Sequence, residues 1–191
     1  MIALKRALLV IDVQNEYFTG QRLVTYPALS LNNILRAMDY ALQQGVQVVV
    51  VQHTEPPDSG SFVRGTPEWN LHPEIDKRHY DHLVEKNFPG SFSGTDLEPW
   101  LRKEGIDRLT ISGYMTQMCC DTTARQAFDR GFVVEFLADA TGTLSISNEA
   151  GYIKDEDLHR AILLTQASCF SRVMTAGDWI ALLEQERGNR A

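Results

Sequence analysis

Short, continuous apolar runs recur along this chain, spaced to leave room for one helix between them. That alternation narrows the available folds more than any other feature. "ALLVIDVQ" (7–14) and "VQVVVVQ" (46–52) are strand-length and rich in aliphatic residues, as expected of strands covered on both faces. Between them, residues 28–44 carry Leu31, Ile34, Leu35, Met38 and Leu42 at helical spacing, and Gly45 closes that helix. The same reading predicts strands at 82–86, 106–113, 132–140 and "CFSRVM", with helices at 95–105, 117–130, 155–168 and 175–187. Residues 53–81 and 141–154 read as irregular.

Strands alternating with helices imply a parallel sheet with helices on both faces. The predicted fold is therefore α/β: three layers, α/β/α, around a mainly parallel, Rossmann-like sheet of six strands. No repeat, low-complexity tract or linker interrupts the pattern, so one domain is expected over 1–191.

Charge removes one class of function. The formal net charge of −7 argues against nucleic-acid binding, which needs a basic face, and "RKEGIDR" (102–108) mixes its signs. No apolar run approaches the roughly 20 residues of a membrane span. "MIALKRALLVIDVQ" reads as a strand and not as a secretory leader, because its basic pair lies inside the apolar segment with no small-residue cleavage site behind it. Three cysteines, Cys119, Cys120 and Cys169, are too few for a disulfide framework, so a reducing cytoplasm is expected.

Ligands of open parallel sheets bind beyond the carboxyl ends of the strands. Asp12 lies near the end of the first strand, Lys86 ends "HLVEK", and Cys119 lies just past the strand that finishes at Gly113. Taken singly, each has an ordinary reading as a turn residue, a solvated charge or a small buried hydrophobe. Their coincidence at one sheet edge favours chemistry.

Helical geometry separates the adjacent cysteines. Cys120, Ala124, Ala127 and Phe128 share an apolar stripe, whereas Cys119 falls about 100° around the helix, with Thr123 and Gln126. Cys120 is thus the packing residue and Cys119 the candidate nucleophile. A thiol in a first helical turn, near Lys86, is expected to ionise below its usual pKa of about 8.5. Asp12 would take its proton and later deliver it to a leaving group.

These residues resemble those of the isochorismatase-like cysteine hydrolases, which include nicotinamidases, N-carbamoylsarcosine amidases and isochorismatases. "LLVIDVQNEYF" is similar to the family's opening strand with its D-x-Q. "EKNFPGSFSGTDLEPWLRKEGIDRLTISGYMTQMCCDTTARQAFDRGF" is similar to its lysine segment and G-x-x-T-x-x-C block, and "LADA" follows in order. The resemblance implies an isochorismatase-like hydrolase fold and a catalytic Asp12, Lys86 and Cys119. It further implies a cis peptide between Tyr114 and Met115, with the N–H groups of Met115 and Cys119 as an oxyanion hole.

The implied activity is hydrolysis of a small-molecule amide, carbamoyl or imide C–N bond through a thioester on Cys119. Two departures refine it. Where nicotinamidases carry D-x-H metal ligands, this chain reads "VQHTEPP"; "WNLH" (69–72) supplies His72 without partners, and His79 and His82 fall in a loop, so neither metal nor cofactor is expected. Isochorismatases that cleave a vinyl ether lack the nucleophilic cysteine, which favours covalent amide chemistry here.

Gln14 and Tyr17 should border the substrate by resemblance. Trp69, Phe92 and Tyr114 are candidates for an aromatic lining, with core packing as the alternative for each. His53, at the end of the second strand, either contacts substrate or is a surface histidine. Rival readings are a vinyl-ether hydrolase using Asp12 and Lys86, a non-catalytic small-molecule binder, and a nucleotide or flavin protein. The last lacks a glycine-rich first turn in "DVQNEYFTGQ". The resemblance also implies a homo-oligomer, and the substrate is left to loops 53–81 and 141–154.

Overall fold

The computed structural model describes residues 5–188. The expectation about a leader rests partly on residues 1–4, outside the described residues. In chain order the elements are β1 (Arg6–Ile11), α1 (Ser30–Gln43), β2 (Gln47–His53), α2 (Pro73–Asp76), β3 (His82–Lys86), α3 (Leu97–Lys103) and β4 (Arg108–Tyr114). They continue with α4 (Asp121–Asp129), β5 (Val133–Gly142), β6 (Ile146–Asn148), β7 (Gly151–Ile153), α5 (Asp155–Thr165), β8 (Arg172–Met174) and α6 (Ala176–Gly188).

Six strands form one sheet in the order β3-β2-β1-β4-β5-β8, and every neighbouring pair is parallel. The strands alternate their side chains between two apolar layers. Leu8, Val10, Val48 and Val50 pack under Ile34, Met38 and Ala41 of α1 and Trp179 and Leu183 of α6. Leu9, Ile11, Val49 and Val51 pack under Leu97 and Leu101 of α3, Ala124 and Ala127 of α4, and Cys120 just before α4. Central β1 is buried along its whole length, which explains its unbroken apolar run.

Differences from the sequence reading have local causes. The expected helix at 117–130 is two pieces: residues 116–120 form a wide turn, in which the Cys120 N–H reaches the Met115 carbonyl at 3.2 Å, and α4 begins only at Asp121. Phe128, one residue and about 100° past buried Ala127, falls at the edge of the apolar stripe, where it is 43% exposed and meets Phe170 edge-on. Residues 166–170 form a second wide turn where α5 was expected to continue. Region 141–154 holds the β6–β7 hairpin, and β5 runs on to Gly142 through a register shift against β4. His82 opens β3 and is not in a loop; it stacks on Trp100 and lies 3.2 Å from Asp96. The Tyr26–Pro27 and Tyr114–Met115 peptides are cis.

One buried charge cluster braces the amino ends of the strands. Arg6 holds Glu135 through two 2.9 Å contacts, and Thr110 (2.7 Å) and Trp179 (3.0 Å) also donate to the same carboxylate. The carboxyl ends carry a second cluster.

Candidate active site

Strand register assembles the second cluster. Ile11 pairs with Val51 on β2 and Gly113 on β4, and His53 pairs with Lys86 across β2 and β3, so Asp12, His53, Lys86 and Tyr114 reach one rim. Asp12 leaves β1 with φ +52°, a conformation disfavoured for residues with a Cβ. Its N–H bonds Val51 O at 2.9 Å and its carbonyl accepts from Gln14 N at 2.8 Å, which holds that bend. Strained backbone of this kind concentrates at functional sites.

Asp12 Oδ2 lies 2.7 Å from Lys86 Nζ, with both side chains sealed from solvent. The same nitrogen lies 3.2 Å from Cys119 Sγ. Beyond this ion pair neither oxygen of the buried Asp12 carboxylate has a hydrogen-bond partner. The carboxylate therefore keeps acceptor capacity for a proton. Cys119 retains 5% exposure, and Cys120, fully buried, points its sulfur at Ser112 O.

The electrostatics correct the expectation of a lowered thiol pKa. Burial and then the negative charge of Asp12 push the Cys119 thiol up, and Lys86 offsets this only in part. Lys86 is already neutralised by a carboxylate at 2.7 Å, closer than the sulfur at 3.2 Å. Burial alone would lower the Lys86 pKa, but Asp12 and Cys119 lift it above the ordinary value. The resting set is an ammonium–carboxylate pair beside a thiol, poised for proton transfer rather than holding a standing thiolate.

The remaining sequence candidates divide. Tyr17 borders the triad: it is buried, its ring packs on Phe62 and Tyr114, and its pKa is raised by burial and by nearby Cys119 and Asp12. Gln14 is close by but spent on backbone, receiving the His53 N–H at 2.8 Å and donating to His53 O at 2.9 Å and Trp69 O at 2.7 Å. Tyr114 is a core residue, its hydroxyl 3.1 Å from Ser30 Oγ and its pKa pushed up to about 12 by burial. Phe92 packs on Phe132 and under the Arg130 guanidinium. Trp69 donates to Thr54 Oγ1 at 2.8 Å and lines a separate hollow with Asn15, Gln52 and Tyr80. Met115 enters the wide turn with extended backbone.

The histidines considered as metal ligands have other partners. His72 caps α2, its Nδ1 accepting the Glu74 N–H at 3.1 Å, and His79 lies 3.9 Å from Asp81. Among the described residues no group of three or more His, Cys, Asp or Glu side chains is placed to hold a metal ion. The donor set does not fit a metal-dependent site.

Three contributors escaped the sequence reading. Phe62, also at φ +52°, packs edge-on against His53 and walls an open hollow with Glu16, Thr66 and Glu68, so it stands between that hollow and the site. His159 reaches from α5 to Thr116 Oγ1 at 2.9 Å and to Ala138 O at 2.8 Å, tying down the turn that carries Cys119. Glu55 lies 2.7 Å from His53 Nε2. An aromatic between two glycines was the only visible signal for Phe62; the others depend on tertiary contacts.

Comparison with known proteins bears on the family and the fold. Residues 6–178 match the family model described as "Isochorismatase domain". The chain is 32% identical over 171 residues to the isochorismatase family protein YddQ of Bacillus subtilis, covering 88% of this chain and 95% of that protein. It is 34% identical over 178 residues to Nicotinamidase 3 of Arabidopsis thaliana, covering 86% and 82% respectively. A crystal structure from Burkholderia xenovorans LB400, described as of an isochorismatase-type protein, superposes with a TM-score of 0.93 at 46% identity, covering 95% of this chain and 88% of that one.

Proposed function

The chain belongs to the isochorismatase family of hydrolases, and from that premise we propose that it hydrolyses a small-molecule amide, carbamoyl or imide C–N bond through a thioester on Cys119. One observation carries this reading: a single buried ammonium, Lys86, contacts both a carboxylate and a thiol, at 2.7 Å and 3.2 Å. A carboxylate with spare acceptor capacity beside a protonated thiol is what base-assisted sulfur attack needs.

In the proposed sequence Asp12 takes the Cys119 proton as the sulfur adds to the carbonyl carbon. The oxyanion is received by the N–H groups of Met115 and Cys119, a contribution on the order of 10²–10³ in rate per donor. Asp12 returns the proton to the departing nitrogen, the C–N bond breaks, and the thioester remains. Water, giving its proton to the same carboxylate, then releases the acid and restores the thiol. Lys86 stays charged throughout and keeps the two reacting groups in register. Tyr17 borders the acyl group.

The relative named a nicotinamidase supports amide chemistry. We place the enzyme in the cytoplasm as a homo-oligomer acting on a small molecule; no helix among the described residues is long and apolar enough to cross a membrane.

The test is a panel of primary amides, N-carbamoyl compounds and cyclic imides, with mass detection of an acyl adduct on Cys119. Turnover by the wild type, an adduct on Cys119 and loss of both in Cys119→Ala is the expected result. Isochorismate cleavage that survives Cys119→Ala would select acid-catalysed vinyl-ether hydrolysis instead. No turnover across the panel would point to a binding role.

A further inference from the structure

Lys86 has three N–H donors, and three acceptors surround its nitrogen. Two are the carboxylate of Asp12 and the sulfur of Cys119. The third is Nδ1 of His53, at 3.1 Å, on the adjoining strand and in register with the lysine.

An ammonium has no lone pair, so in this contact Nδ1 accepts and carries no proton. The ring proton must then sit on Nε2, where Glu55 Oε1 waits at 2.7 Å. The histidine is also held by its backbone, between the two ends of the Gln14 amide, and its ring is flanked by Phe62. Both ring nitrogens are therefore engaged within the protein, which corrects the expectation that His53 contacts substrate. Protonating Nδ1 would set two cations 3.1 Å apart and break the contact. The charged groups in contact with the ring are Lys86 and Glu55, and Asp12 and Cys119 lie beyond the lysine.

We propose that His53 is a positioning residue for Lys86: it occupies the third donor so that the other two aim at Asp12 and Cys119, and Glu55 fixes the tautomer that makes this possible. The proposal rests on the Asp12–Lys86–Cys119 reading above and adds two residues to it.

The experiment needs no substrate. In a full-length Cys169→Ser background, which removes the exposed thiol, carbamidomethylation of Cys119 by iodoacetamide is followed by peptide mass spectrometry between about pH 6 and 10. His53→Asn places Oδ1 where Nδ1 stood and is expected to keep the rate within about threefold, with an unchanged pH profile. His53→Leu is expected to lower it at least about tenfold and to move the profile to higher pH. A leucine variant that matches wild type overturns the proposal. So does an asparagine variant as impaired as the leucine one while both melt like wild type.

If His53→Leu does not fold, Glu55→Ala, at a part-exposed position, decides: a slowed, shifted profile supports the proposal and an unchanged one overturns it. A wild-type Cys119 that resists iodoacetamide at every pH, yet reacts once the chain is unfolded, sinks the triad reading itself. That result is distinct from a reactive Cys119 indifferent to residue 53.

Discussion

Ile11 and Gly113 face each other across β1 and β4, and a Cβ on the glycine would lie 2.0 Å from the carbonyl oxygen of Ile11. The glycine also holds φ +113°, which side-chain-bearing residues avoid. Asp12 follows Ile11 in the chain, and Tyr114 follows the glycine. Gly113→Ala is expected to destabilise the protein by about 3 kcal/mol or more, read by denaturant unfolding. A loss below about 1 kcal/mol would mean that the rim tolerates a shift of β4 against β1.

After burial, the negative charge of Asp12 is what raises the thiol pKa of Cys119. Asp12→Asn removes that charge and leaves Lys86 free to pair with the sulfur, so the thiol pKa falls. The thiolate fraction at neutral pH then rises. The expected outcome is a Cys119 alkylated at least about tenfold faster at pH 7 yet unable to turn over any amide. Lys86→Met should have the opposite effect on alkylation, because the lysine is the group that lowers the thiol pKa.

Phe62 separates an open hollow from His53 and the triad beneath it. Phe62→Ala should admit reagents more easily, raising the Cys119 alkylation rate several-fold while costing about 3–5 kcal/mol of stability if its full packing is lost. Unchanged alkylation in a folded variant would show that access runs elsewhere.

His159 is buried, and desolvation holds its pKa below the ordinary histidine value of 6.5. The unfolded chain thus binds the extra proton first as pH falls. The stability tied to neutral His159 is present above about pH 6.5 and drains away below it. His72 acts in the same direction. His159→Asn, which keeps an acceptor for Thr116, should flatten the fall in melting temperature between pH 7 and 5. An unchanged slope would count against this assignment.

Much of this was legible in residue order. Continuous runs such as "VQVVVVQ" mark strands because nothing else that short is apolar on every face, and the parallel topology then carries Asp12, Lys86 and Cys119 to one rim. The failures share a cause. The helix read over 117–130 starts late because residues 116–120 form a wide turn, tied down by the contact of Thr116 with His159, 43 positions away, and Phe128 sits at the margin of the α4 stripe, where only tertiary packing decides burial. Likewise the thiol pKa was judged from a helix end and one lysine, before burial and the prior claim of Asp12 on that lysine could be weighed.

At the opposite end of the sheet, Glu135 satisfies Arg6, Thr110 and Trp179 together. Glu135→Ala keeps Arg6 paired with Glu186 at 3.1 Å but takes the acceptor from buried Thr110 and Trp179, and should cost about 1–3 kcal/mol in chemical denaturation, without altering Cys119 alkylation in the fraction that stays folded.

Anchorage and reactivity thus occupy opposite poles of one scaffold, joined only through the rigid strands between them. Diversification around the catalytic pole, whether by natural drift or in a directed-evolution library, can reshape substrate choice while the pole at Glu135 goes on fastening the final helix to the sheet.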